Sequence, residues 1–281
     1  MKPRAMVFTL FGDYLRYIGH GEAKLGALSE LLGLFDVDAG TTRVVMTRLK
    51  KDGWFDTRRD GRETSYLLSE KGWRLMNEGR ARIFVHPDVK WSGEWAMVSY
   101  RFPDSERAAR EAVRKQLSWL GFGQLTPSIW MSPHDRIAAA EALFEGAPTN
   151  SADMFYSRGR SLEQDRDIAR RCWDLDALNE DYRAFIAEFC GPTEPEPTGV
   201  DALIQRVRIA GAYRLFPFRD PDLPIELLPA DWRGHQAHEE FTRVYAGLTD
   251  EAESALERIT GVEMDRRTDY PPASVSAKET S

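Results

Sequence analysis

Thr41-Thr42-Arg43-Val44-Val45-Met46-Thr47-Arg48-Leu49-Lys50-Lys51-Asp52, followed by Gly53 and Trp54, decides how this chain is read. At helical spacing Thr42, Val45, Met46 and Leu49 share one face. Arg43, Thr47, Lys50 and Lys51, with Arg48 at the flank, are left toward solvent. Asp38 or Thr41 can cap the start, and Gly53 stands where a glycine stops a helix. A short helix showing Arg, Lys and Thr has the chemistry to enter a DNA major groove, where Arg pairs with guanine edges and Thr meets a phosphate or a thymine methyl.

Upstream, Val7, Leu10, Phe11, Tyr14, Leu15 and Ile18 line one side of a helix over residues 4–18. Leu25, Leu28, Leu31, Leu32 and Phe35 repeat that period in a second helix, which the turn-forming residues Asp36 to Gly40 close. Downstream, residues 54–68 read as a hairpin, with Asp60-Gly61 as the turn signal and Trp54, Tyr66 and Leu68 as the buried sides. Arg58, Arg59 and Arg62 gather at its tip. Helix, helix, turn, basic helix and basic hairpin, in that order, predict a winged helix-turn-helix over residues 1–88. Its expected DNA contacts are Thr41, Thr42, Arg43, Thr47, Arg48, Lys50, Lys51, Arg58, Arg59 and Arg62.

The charge distribution agrees with that placement. The chain has 281 residues and a net charge of −7. Residues 1–85 hold fifteen Lys and Arg against eleven Asp and Glu, a net of +4, and the remainder carries −11. Phosphate binding needs cations, so a polyanion partner belongs at the amino end.

Residues 89–170 alternate strand and helix candidates: Trp95 to Phe102, Glu106 to Leu120, Ile129 to Met131, Ile137 to Phe144 and Met154 to Tyr156. That order predicts a ferredoxin-like α+β domain serving dimerisation or spacing. Residues 171–267 read as a mainly helical carboxy-terminal domain. Trp173 to Phe189 is amphipathic, Gly191 to Gly199 forms a loop, and periodicity resumes over Leu203 to Phe216 and Ala237 to Leu248. Residues 268–281 have few large apolar groups and read as a flexible tail. The fold class is therefore α+β and multidomain.

Enzyme chemistry lacks carriers. No P-loop or G-x-G-x-x-G run occurs, and neither Ser, Cys nor Asp stands in a nucleophile setting. Cys172 and Cys190 are too few for a disulfide framework or a paired-cysteine zinc site. His235 and His238, with Glu239, have H-x-x-H spacing but no third ligand with a general base nearby. No catalytic residue, metal or cofactor is expected. Gly12, Asp13 and Arg16 interrupt the apolar amino-terminal stretch, so no secretory signal is read there. No run approaches the roughly 18 apolar residues of a membrane span. A cytoplasmic protein without membrane attachment is expected.

Phe8-Thr9-Leu10-Phe11-Gly12-Asp13-Tyr14, then Arg43, Arg48-Leu49 and Asp52-Gly53-Trp54, resemble the opening domain of the PaaX-like repressors, regulators of phenylacetic acid degradation. The resemblance continues through Phe218-Arg219-Asp220-Pro221-Asp222-Leu223-Pro224 and Leu227-Leu228-Pro229-Ala230-Asp231-Trp232, covering residues 4–265. It implies a homodimer that binds double-stranded operator DNA and is released by a small-molecule effector, an aryl-coenzyme A thioester such as phenylacetyl-coenzyme A. Arg206, Arg208, Arg214 and Arg219 would suit the phosphates of such an effector, and Tyr213, Phe216 and Phe218 could flank its aromatic group. The same residues also read as a packed core with arginines outside.

The family's middle domain is said to resemble a CRISPR-associated metal-dependent nuclease subunit. Where that nuclease places an acidic residue at the end of its first strand, this chain has Arg101, which would repel a divalent metal. A metal-dependent nuclease, testable at Asp104, is the alternative reading. A winged helix used for protein contacts is a third.

Overall fold

The computed structural model describes residues 1–84, 90–145, 152–191 and 194–265, so the expected tail lies outside the described residues. The first elements are α1 (Pro3–Asp13), β1 (Glu22–Lys24), α2 (Leu25–Gly33), α3 (Ala39–Lys51), β2 (Phe55–Asp60), β3 (Glu63–Leu68) and α4 (Glu70–Phe84). There follow β4 (Trp95–Tyr100), α5 (Arg107–Trp119), β5 (Gly123–Thr126), β6 (Ile129–Ser132), α6 (Ile137–Glu141), β7 (Ala152–Ser157) and α7 (Leu162–Cys172). The chain continues through α8 (Leu175–Phe189), α9 (Gly199–Tyr213), α10 (Gly234–Gly247) and α11 (Thr249–Thr260). Among the described residues no helix is long and apolar enough to cross a membrane.

This is a mixed α+β chain of more than one compact unit, as expected. The first unit comprises Met1–Val85, Phe185–Arg214 and Gln236–Ser281, and the second His86–Ala184 and Leu215–His235. Carboxy-terminal helices thus join the amino-terminal core. Leu203 and Val207 of α9, and Ala252, Ala255 and Leu256 of α11, pack in one cluster with Leu10 and Phe11 of α1 and Leu28, Leu31 and Leu32 of α2. Full burial of a Leu or Phe contributes about 1.5–3 kcal/mol, so these helices supply much of the unit's stability.

In the first unit β1, β3 and β2 form one antiparallel sheet in that order. The first helix ends five residues earlier than periodicity predicts, because Tyr14 leaves helical geometry (φ −135°, ψ −60°) and a 3-10 turn covers Leu15–Tyr17. Asp60 pairs with Glu63, so the central turn residues are Gly61 and Arg62. Gly61 alone has positive φ (+58°), the pattern of a type II′ turn, which puts Arg62 at the tip. The hairpin's root is sealed by Phe55, buried and tilted onto Phe11 with ring centroids 4.7 Å apart, while Trp54 stays half-buried.

In the second unit the sheet order is β5-β6-β4-β7, all antiparallel. The connection through α5 steps over β6, and the one through α6 steps over β4. Alternation along β4 serves both faces of the sheet. Ala96, Val98 and Tyr100 pack with Val113 and Leu117 of α5, whereas Trp95 packs with Ala169, Leu175 and Leu227 on the other side. The indole N–H of Trp95 donates to Asp165 at 2.8 Å, which satisfies both buried polar groups.

Candidate nucleic-acid interface

The helix α3 is fixed at both ends by its own sequence. Asp38 is the amino-terminal cap, accepting from the Thr41 N–H at 2.9 Å and from the Thr41 hydroxyl at 2.7 Å. The Thr41 hydroxyl, then its N–H, hold the Asp38 carboxyl below the usual range. At the other end Gly53 takes φ +78°, Trp54 N–H bonds Leu49 O at 3.0 Å, and Gly53 N–H bonds Lys50 O at 2.9 Å. That pair of bonds is the Schellman stop. Met46 and Leu49 anchor the inner face.

Turned outward are Arg43, Arg48, Lys50 and Lys51, and the helix contains no acidic residue. Arg43, Arg48 and Lys51 are exposed and form no ion pair among the described residues. Lys50 Nζ donates to Thr57 Oγ1 at 2.8 Å, tying the end of α3 to β2. Thr47 is exposed but its hydroxyl donates to Arg43 O at 2.8 Å, and the Thr41 hydroxyl is committed to the cap.

Thr42 must be withdrawn from the expected contacts. It is buried and its hydroxyl donates to Asp38 O at 3.1 Å, so the residue faces the core as its spacing required. Sequence reasoning passed over Val44, which is 50% exposed among the basic side chains. Its signal was available: an apolar residue in the outward arc of an otherwise polar face.

The hairpin is different in kind. Arg58, Arg59 and Arg62 are matched there by Asp56, Asp60 and Glu63. Arg58 is held by Glu22 of β1, with N···O distances of 2.6 and 2.8 Å to its two carboxylate oxygens. Lys24 of the same strand pairs with Glu63 at 2.7 Å. Arg59 and Arg62 stay exposed with no ion pair among the described residues.

The residues considered for an effector fall in both units. In the first, Arg208 is exposed, Tyr213 is stacked on Phe241 at 4.1 Å, and Arg214 donates to Ala5 O and Thr9 Oγ1 at 3.3 Å. Arg206 is buried and donates to Tyr245 O at 2.9 Å. In the second, Phe216 stacks on Tyr182 at 4.1 Å, Phe218 lies exposed against Trp119, and Arg219 pairs with Asp181 at 2.5 Å. The conspicuous 218–232 stretch therefore clamps α8: Tyr182 donates to Asp220 at 2.6 Å, and Asn179 Nδ2 donates to Asp231 O at 3.3 Å.

His238 Nδ1 lies 2.9 Å from the Tyr213 hydroxyl, which engages one of the two histidines of the H-x-x-H pair. Among the described residues no group of three or more His, Cys, Asp or Glu is placed to hold a metal ion. Burial pushes the Cys172 thiol up to about 12 and the Cys190 thiol to about 11, so neither is a ready nucleophile.

Residues 2–72 match the family described as PaaX-like protein, 88–169 the PaaX protein central Cas2-like domain, and 173–258 the PaaX-like protein C-terminal domain. The chain is similar to the transcriptional repressor PaaX of Escherichia coli (strain K12), with 33% identity over 252 residues, 86% of this chain and 78% of that protein. The solved structure of the uncharacterized protein Rv0674 from Mycobacterium tuberculosis is similar in fold. Its TM-score is 0.59 at 23% identity, over 82% of this chain and 89% of that one.

Proposed function

Because this chain belongs to the PaaX-like protein family, we propose that it is a DNA-binding transcriptional repressor whose α3 enters the major groove. In this reading α1 to β3 form a winged helix-turn-helix, and the second unit's sheet, with its two step-over connections, is a ferredoxin-like domain. The observation that carries it is α3 itself: four cations, no acid, and none of the four in an ion pair among the described residues, Lys50 being bonded only to the neutral Thr57 hydroxyl. Uncompensated cations on an exposed helix cost self-repulsion, which a polyanion relieves by releasing its counterions. Arg43 and Arg48 are the base-reading candidates and Lys51 a phosphate contact. Arg59 and Arg62 reach neighbouring phosphates.

The protein works in the cytoplasm as a homodimer on two half-sites whose recognition helices stand about 34–36 Å apart. An aryl-coenzyme A thioester that binds the weakly DNA-binding form more tightly shifts the population off the operator. Arg208, Tyr213, Arg214, Phe216, Phe218 and Arg219 remain the candidates for holding it. The nuclease reading has no such support. Arg101 follows β4 directly and is exposed, a cation where a metal-binding acid would be needed. The side chain of Asp104 lies outside the described residues.

Mobility shifts with the promoter beside the protein's own gene, over a salt series, test the proposal. The expected result is a log–log salt slope of about −0.9 per phosphate neutralised, with release by at least one of a panel of aryl-coenzyme A thioesters. Salt-insensitive binding, or none, removes the repressor reading, and retention through the whole panel removes the thioester.

A further inference from the structure

The first unit contains a cavity of about 240 Å³ between β1, the start of α2 and the end of α11. Leu15, Ile18, Ala23 and Val262 give it aliphatic walls, and Glu22 and Lys24 also line it. These two charged residues are the ones that grip the hairpin, Glu22 through Arg58 and Lys24 through Glu63. The cavity and the hairpin are therefore joined through one three-residue strand.

We propose that this cavity binds a small monocarboxylic acid with an apolar body, and that occupancy is passed to the hairpin through β1. Size sets the first limit. Drug-sized ligands take pockets from about 300 Å³ upward, so this partly open one has room for a molecule of about ten non-hydrogen atoms and is too small for coenzyme A. Charge sets the second. Both Glu22 oxygens are engaged by Arg58, which neutralises that side of the wall. Lys24 has three ammonium N–H donors and gives one to Glu63, leaving donors for a carboxylate. The first turn of α2, which begins after Lys24 with no side-chain cap and whose Ala27 lines the cavity, has backbone N–H groups without an intrahelical partner, a partial charge of the same sign.

A carboxylate drawn to Lys24 competes with Glu63, and an apolar body pressed against Ala23 and Glu22 disturbs the seat of Arg58. Either loosens the hairpin from its third strand. The regulatory half of this proposal rests on the repressor reading above, whereas the binding half does not.

Calorimetry on the full chain, without DNA, uses benzoate and octanoate as probes and benzamide as the uncharged isostere. One-to-one binding of at least one acid is expected, with Kd between about 10 μM and 1 mM. Benzamide binds about tenfold more weakly, Lys24→Gln weakens the acid about tenfold, and Ala27→Phe, which fills the cavity, abolishes it. No saturable binding of either acid overturns the proposal, as does equal affinity for benzamide or an unchanged Kd in Lys24→Gln. Lys24 is surface-exposed, so that variant decides even if Ala27→Phe fails to fold.

Mobility shifts then test the coupling. The bound acid changes DNA affinity several-fold in the wild type and leaves Glu22→Gln unaffected. An acid that binds but leaves wild-type DNA affinity unchanged overturns the link to the hairpin. Failure of the protein to bind any DNA overturns the repressor reading and leaves the acid site standing.

Discussion

The helix α3 and the β2–β3 hairpin both look basic in sequence, but only one of them is basic in space. Every charge on α3 is positive, and its four cations are exposed without an ion-pair partner among the described residues. The hairpin carries equal numbers of each sign, and Arg58, the arginine farthest from its tip, is already held by Glu22. The difference teaches that the two halves of this surface have separate physical tasks. In the proposed complex the helix would supply the attraction, and the hairpin, braced by β1 and by the bond between Lys50 and Thr57, would supply shape and register.

The largest effect should come from stripping the helix. Arg43→Ala, Arg48→Ala and Lys51→Ala together should cost a hundredfold or more in operator affinity, at about 1–3 kcal/mol for a base contact and one unit of salt slope for each phosphate contact. Arg59→Ala with Arg62→Ala should cost about tenfold and flatten the slope by about 2. Mobility shifts at several salt concentrations measure both, and equal losses from the two sets would erase the contrast.

A second substitution should leave that contrast intact while changing stability. Asp13, where α1 ends, has its carboxyl raised to about 6 by burial, against the pull of Arg206, Arg80, the Tyr245 hydrogen bond and Arg214. A carboxyl raised in the folded state adds stability below its unfolded value near 4, and loses it as pH rises through about 6. The wild type should therefore weaken between those limits, by up to about 3 kcal/mol at 1.36 kcal/mol per pKa unit. Asp13→Asn should flatten the loss, melting higher than wild type near neutral pH and alongside it near pH 4, with the ratio of helix to hairpin effects unchanged. A lower melting temperature at neutral pH would mean that the ionised carboxylate holds the arginines in place.

What could be read in advance follows from how each feature is encoded. The segments α2, α3 and the hairpin carry local signals: a 3.6-residue period, Asp38, Gly53 and Gly61. By contrast β1 has three residues and β5 four, too short for any period, and β1 follows three consecutive positive-φ residues, Gly19, His20 and Gly21. The inner side of α11 is Ala252, Ala255 and Leu256, so its stripe is faint, and α7 buries only Asp165 and Ala169. Nothing local announces that α9 and α11 close onto α1 and α2, because that pairing is a property of the folded chain. The same limit applies at the candidate site. Spacing puts Thr42 inside although its chemistry suits DNA, and no reading of the hairpin alone shows that Glu22 engages Arg58.

The smallest expected effect sharpens the comparison most finely, because it concerns α3 without its charge. Val44 is an exposed β-branched residue in a helix, which costs helix stability: replacing it with Ala should stabilise the protein by about 0.5 kcal/mol through propensity. In the proposed complex its methyl groups would meet a thymine methyl, an apolar contact the major groove offers only at A·T pairs. At about 0.8 kcal/mol per buried methylene-sized group, Val44→Ala should lower operator affinity several-fold and leave the salt slope alone. Opposite signs for melting temperature and operator affinity, at constant slope, identify a base contact. If both fall together, Val44 is buried against protein, and the free surface of α3 is narrower than its charges imply.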